Sequence, residues 1–276
     1  MDQVRYLQAF DNDAAALAAA ARMGLEPAVP SGPGWIVANI LIHLGTVYRG
    51  WVAVMDAHGD EWPLDISRQV LERTFPALID LFEQGEKGVA AWTIPDGLIE
   101  WFEQGAAEMT DSLRGAHLDG ALWRPAGWPA SLTPSVRLFQ RAANIETAVH
   151  RWDAQLAHQC TSPIDPLVAT MGIEQVLREG IPASRQYVRE NRSVPPPTGR
   201  GETYLFQQAD GDGAWLVRFQ GEDVSVEQGE GEADVVAQGS ASDLLLFLWH
   251  RIPADRLDLA GERALLDRYF ELAPPL

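Results

Sequence analysis

Glu146 and His150 stand four residues apart, and a solitary His43 sits in an earlier stretch that is otherwise apolar. If both stretches are helices, a carboxylate and two imidazoles are what a bundle needs to hold a divalent metal with a coordination position left open. The chemistry of such a site is Lewis-acid chemistry at the open position. A chain in which the three failed to converge would hold little else that speaks of chemistry.

A wheel at about 100° per residue places these side chains. In the later helix Leu138, Ala142, Ile145, Val149, Trp152 and Leu156 form an apolar stripe that must face the core. Gln140, Asn144, Thr147, Arg151, Gln155 and His158 are expected on the solvated side. Phe139, Ala143, Glu146, His150, Asp153 and Ala157 flank the core, so Glu146 and His150 point into one space a turn apart. In the earlier helix Ile36, Ile40, His43, Val47 and Gly50 share a face. An unpartnered imidazole buried among them would be costly. A metal shared with Glu146 and His150 would satisfy it, and so would a hydrogen bond to a backbone carbonyl. Asp153 reads either as an acceptor that orients a ligand or as a surface acid.

The elements follow from caps and periodicity. Asp11 to Met23 is alanine-rich and opens on Asp-Asn-Asp, which suits an N-cap. Trp35 to Ala57 is a second helix ended by His58-Gly59, and further helices are expected from Ile66 to Gln84 and from Asp96 to Arg114. Leu118 to Leu132 reads as loop, and Thr133-Pro134 as the cap and first turn of the long helix to His158. Asp165 to Asn191 is helical with a break at Gly180-Ile-Pro182, and the prolines of residues 192–201 make a stiff connector. Beyond it, period-two runs Thr203–Gln208, Trp215–Gln220, Val224–Gln228 and Asp234–Gln238 are strands separated by glycine-rich turns. A helix from Ser240 to Arg251 follows, capped by Ser240 or Ser242, then a strand Leu257–Leu259 and a helix Glu262–Glu271. The expected architecture is an all-α bundle of four or five helices over residues 1–162, then a smaller α+β domain over 163–276, with an antiparallel sheet and helices on one face.

Composition limits the partners. A formal net charge of −18 argues against nucleic acid and against an anionic membrane surface. Trp35 to Met55 is apolar, but Asn39, His43 and Arg49 make it a buried bundle helix and not a membrane span. The one cysteine, Cys160, cannot form an internal disulfide, which suits a reducing cytoplasm, and it reads as a partly buried small hydrophobe. The N-terminus shows no signal pattern. Only Lys87 is lysine among the basic residues, a bias towards GC-rich codons that points to a high-GC bacterium.

At the two helical motifs the chain resembles a known family. The run PGWIVANILIHL from Pro33 to Leu44, the run ETAVHRWD from Glu146 to Asp153, and Ala233 to Trp249 with Arg251, Pro253 and Ala254 beyond it resemble the mycothiol-dependent maleylpyruvate isomerase family. The resemblance implies a DinB-like bundle carrying a divalent metal, usually zinc, on His43, Glu146 and His150, followed by a sterol-carrier-like domain. It also implies mycothiol, the low-molecular-weight thiol of actinobacteria, as cosubstrate, and a small electrophile as substrate. Isomerases and thiol S-transferases share this resemblance, so the reaction stays open between them. A dicarboxylate would need cationic anchors, for which Arg49 and Arg251 are candidates; equally, each is an ordinary solvated or helix-end arginine. The negative charge of the chain would mildly repel such a substrate. A metal-free binder of apolar ligands and a hydrolase using metal-bound water are the rival readings. A monomer or weak homodimer is expected.

Overall fold

The alanine-rich start of the chain folds as one helix, α1 (Gln3–Arg22), beginning well before the Asp-Asn-Asp run expected to cap it. Those acids lie inside the helix and are kept there by partners on other helices. Thr110 donates to Asp11 Oδ1, and Arg151 Nε donates to the buried Asp13. The computed structural model describes residues 3–57, 66–78, 94–120, 122, 133–192 and 197–274. The chain forms two compact units, one reaching Pro163 and one running from Ile164 onward.

In the first unit α1 is followed by α2 (Val37–Asp56), α3 (Ile66–Thr74) with a 3₁₀ turn at Pro76–Leu78, α4 (Leu98–Gly115) and α5 (Val136–Ala157). The helix end expected at His58-Gly59, the continuation of α3 to Gln84 and most of the loop before Thr133 lie outside the described residues. Helix α1 packs on α4 and α5, and α2 packs on α3, α4 and α5. By length and hydropathy α2 could cross a bilayer, yet it lies mostly buried inside this unit.

The start of α5 falls two residues later than the Thr133-Pro134 reading. Ser135 is the N-cap, its Oγ accepting from the Leu138 N–H at 3.2 Å. The larger correction concerns its polar stripe. Gln140, Asn144, Thr147 and Arg151, expected in water, are all buried. The small side chains of α1, among them Ala14, Ala18 and Ala21, let α5 approach closely enough to cover that side. The polar groups then bond inside the unit, as burial demands. Tyr48 Oη and Thr147 Oγ1 form a hydrogen bond. Arg151 reaches Asp13, Gln155 and the carbonyls of Ser162 and Pro163.

In the second unit Asp165 caps α6 (Pro166–Gln175), and α7 (Ile181–Asn191) continues the same rod. The break expected at Gly180-Ile-Pro182 is absent. A π turn over Val176–Gly180 widens the backbone just before Pro182, whose missing N–H would otherwise interrupt the ladder. The sheet comprises β1 (Gly199–Gln208), β2 (Ala214–Gly221), β3 (Asp223–Gln228), β4 (Val235–Gly239) and β5 (Asp258–Gly261) in the order β3-β2-β1-β4-β5. β1 therefore takes up the last residues of the expected connector, of which 193–196 lie outside the described residues.

The sheet is mixed: β1 and β4 run parallel, and the other neighbours are antiparallel. The parallel pair arises because β4 returns beside β1 after the β2–β3 hairpin. Helix α8 (Ala241–Leu248), capped by Ser240, and α9 (Arg263–Leu272) both contact β1 and β4. Tyr204, Phe206, Phe219 and Tyr269 form the aromatic centre of this unit.

Candidate metal centre

The site begins in the loop before α2. The Ser31-Gly-Pro-Gly turn is closed by the Val29 N–H donating to the Trp35 carbonyl at 2.8 Å. Gly34 takes φ 88°, a left-handed conformation that favours glycine. The first amides of α2 are satisfied by this loop and by its own side chain. Val37 N–H donates to the Pro27 carbonyl, and Asn39 Oδ1 accepts from the Ile36 N–H. The start of α2 is thus anchored, with Trp35 in the loop just before it, and the helix carries His43 to the neighbouring face of α5.

There His43 Nε2 lies 3.6 Å from Glu146 Oε2, and His150 Nε2 lies 3.4 Å from the same oxygen. One donor atom from each of the three residues falls within 4.8 Å of the others. These separations are long for hydrogen bonds, whose N–H···O range ends near ~3.2 Å. They match the edges of a tetrahedron of ligands about 2.1 Å from a common centre, which are about 3.4 Å long. Two imidazoles and a carboxylate are borderline donors suited to zinc and similar divalent cations. The three residues could therefore hold such a cation with a fourth position open.

Exposure differs among them. His43 is 33% exposed and Glu146 29%, whereas His150 is 8% exposed, so solvent reaches the centre from the His43 side. His43 does not sit in an apolar pocket, as its helical face suggested; that face opens onto the site. The Trp35 ring stacks on His150 at 5.9 Å and meets His43 edge-on at 5.5 Å. Further along α2, Val47 and Trp51 are partly exposed, and Trp51 stacks on Phe139 at 5.4 Å. Among the described residues, the helical face of α2 that carries His43 thus continues with aliphatic and aromatic side chains.

The electrostatics are set by a chain of partners. Burial raises the Glu146 carboxyl, but the two imidazoles beside it outweigh that and hold it well below the usual carboxylate range. Burial likewise disfavours a charged His150, yet Asp153 and Glu146 lift its pKa to about 9. Asp153 is 1% exposed, with Oδ2 2.9 Å from His150 Nδ1. Its other oxygen accepts from Ser31 Oγ at 2.5 Å. Nothing in the local sequence announces Ser31, because its partner lies 122 residues away.

Of the residues singled out by sequence, the structure brings His43, Glu146, His150 and Asp153 together and gives Arg49 other work. Arg49 is buried, and its guanidinium donates to the carbonyls of Gly45 and Trp101. It also pairs with Glu108 at 3.2 Å and covers the Trp101 ring at 4.4 Å. It is therefore not a solvated arginine. Arg251 belongs to the second unit, where it donates to the Trp249 carbonyl at 3.0 Å. Cys160 is exposed just past the end of α5, not partly buried. His158 Nε2 lies 3.2 Å from the Gly24 carbonyl.

Fold and donor set define a class: a helical bundle with a candidate two-histidine, one-carboxylate metal centre, followed by an α+β unit built on a mixed sheet. Residues 6–155 match the family model for the mycothiol maleylpyruvate isomerase N-terminal domain, and the chain belongs to that family. Two crystal structures are similar over 95% of both chains, each with a TM-score of 0.57. One is of the mycothiol-dependent maleylpyruvate isomerase, at 13% identity; the other is of a histidine-to-alanine mutant of that enzyme, at 12%. At that identity they establish the shared fold. No curated protein is similar enough in sequence to count as a relative.

Proposed function

We propose that this protein is a mycothiol-dependent enzyme in which a thiolate adds to an electrophilic carbon, as in the cis–trans isomerisation of maleylpyruvate-like compounds. The observation that carries this reading is the donor set of His43, Glu146 and His150, each imidazole nitrogen lying from the carboxylate oxygen at about the spacing of tetrahedral ligands, in a chain of this family. His43 Nε2, Glu146 Oε2 and His150 Nε2 would hold the metal, with zinc the best match to the donor set. When bound, the cation supplies Lewis acidity that lowers the pKa of a thiol at the open position.

The protein's own groups prepare that site. Asp153 accepts from His150 Nδ1–H and so leaves the Nε2 lone pair directed at the centre. Trp35 stacks on His150 and restricts water on that side. Val47 and the Trp51–Phe139 stack offer an apolar wall for the carbon skeleton of a substrate. On the substrate, the sulfur forms a bond to one carbon of a conjugated cis double bond, and the π electrons move onto the adjoining carbonyl. The former double bond rotates. The electrons then return, the C–S bond breaks, and the trans isomer leaves with the thiol regenerated. In a thiol S-transferase the same addition stops at the adduct.

The test is metal analysis of the full-length protein combined with turnover assays with and without mycothiol. The expected result is about one zinc per chain, lost in His150→Ala together with all thiol-dependent turnover. Turnover of maleylpyruvate without any thiol would defeat the reading, and so would a protein that takes up no divalent metal. An accumulating thioether would assign the transferase branch.

A further inference from the structure

The metal-facing nitrogen of His150 is oriented from behind by a carboxylate, and that carboxylate is itself held by a residue from another part of the chain. His150 and Asp153 sit three residues apart on α5, so the helix fixes the distance between them but not the rotation of the Asp153 carboxylate. Its two oxygens have distinct tasks. Oδ2 faces His150 Nδ1 at 2.9 Å, and Oδ1 accepts from Ser31 Oγ at 2.5 Å. With Oδ1 tied to Ser31, the carboxylate plane is turned so that Oδ2 meets the imidazole.

Ser31 is well placed to hold that direction. It lies in the loop pinned by the Val29–Trp35 backbone bond and by the Ala28–Ile36 bridge. That loop also brings the Trp35 ring to the face of His150, with only 15° between the planes. One short loop therefore touches this histidine twice, once through a ring face and once through Asp153. The hydroxyl is a neutral donor, so it directs the carboxylate without neutralising it.

We infer that Ser31 is a positioning residue for the metal centre, acting through Asp153 to fix the tautomer and ring orientation of His150. The inference rests on the metal-centred reading above and deepens it. Removing the hydroxyl takes one donor from the carboxylate and loosens the hold on the acceptor that His150 Nδ1–H uses. Loss of such supporting partners weakens metal affinity by roughly 10–100-fold.

The experiment is a double-variant cycle on the full-length protein, read by zinc competition against a chromophoric chelator and by the visible spectrum of the cobalt(II) form. Ser31→Ala is expected to weaken zinc affinity by roughly 10–100-fold and to alter the cobalt spectrum. Ser31→Thr, which keeps the hydroxyl, is expected to restore both. In an Asp153→Ala background, Ser31→Ala is expected to add nothing. A Ser31→Ala protein that binds zinc like the parent overturns the inference, as does a double variant in which the two losses multiply. Metal-free melting separates folding from positioning: if Ser31→Ala and Ser31→Thr melt together but differ in zinc affinity, the role is positional; if affinity simply follows melting, it is not. A parent protein that takes no zinc would sink the metal-centred reading itself. A zinc-binding parent with an indifferent Ser31→Ala sinks only the role of Ser31.

Discussion

Under the proposed assignment, His150 would enter metal binding with a proton to lose. Its pKa stands at about 9 because Asp153 and Glu146 together outweigh the cost of burying its charge. A cation can take Nε2 only from the neutral ring, so protons compete with the metal at every pH below that value. Glu146, held well below the usual carboxylate range, adds no competing proton near neutrality. The sign follows: zinc affinity should rise by about tenfold per pH unit between about pH 7 and 9 and level off above. Calorimetry in buffers of different ionisation enthalpy should record about one proton released per zinc at pH 7.5. A flat affinity profile across that window would mean that His150 is neutral before the metal arrives. At this scale the sequence was readable where partners share a helix. Glu146, His150 and Asp153 announce themselves by spacing, and His43 by its apolar company. Ser31 did not, since a hydrogen bond spanning 122 residues leaves no local pattern.

Arg49 shows how an element can absorb a residue that looks functional. Two glycines make room for it. A Cβ on Gly105 of α4 would run into the Arg49 guanidinium, and a Cβ on Gly45 of α2 would run into the Trp101 ring. The close approach of α2 and α4 is thus built around an arginine over a tryptophan, with Glu108 at its edge. Gly105→Ala should cost about 1–3 kcal/mol of stability by overpacking. Arg49→Met should also destabilise, by about 1–3 kcal/mol, since carbonyls now bonded to it lose their donors. Both variants should leave zinc affinity within about twofold of the parent, because sites without shared partners behave nearly independently. Denaturant melts beside zinc titrations would check this, and an affinity loss matching the stability loss would contradict it. Sequence periodicity located most helices and strands in their described parts, together with the Ser240 cap, because apolar repeats and glycine turns are local signals. It misjudged the polar side of α5 because burial there depends on the alanines of α1. It also read Pro182 as a break, since a one-residue widening of the helix has no distinct composition.

At the scale of the whole molecule the formal charge of −18 sets the approach of any anionic substrate. Such a substrate meets net repulsion that salt screens over about 10 Å at 0.1 M. For a dicarboxylate, kcat/KM should therefore increase with ionic strength, while an uncharged electrophile should show little change. Stopped assays at two salt concentrations suffice, and a decrease for the dicarboxylate would reveal a local positive field that overrides the global one. One last consequence comes from where the ligands lie. His43 is on α2, whereas Glu146 and His150 are on α5, so an unfolded chain offers at most a weak two-point grip on a cation. Under the proposed assignment, binding favours the native state alone, by about 4 kcal/mol when free cation exceeds Kd a thousandfold. Two batches of this protein differing only in chelator history should then give different melting temperatures.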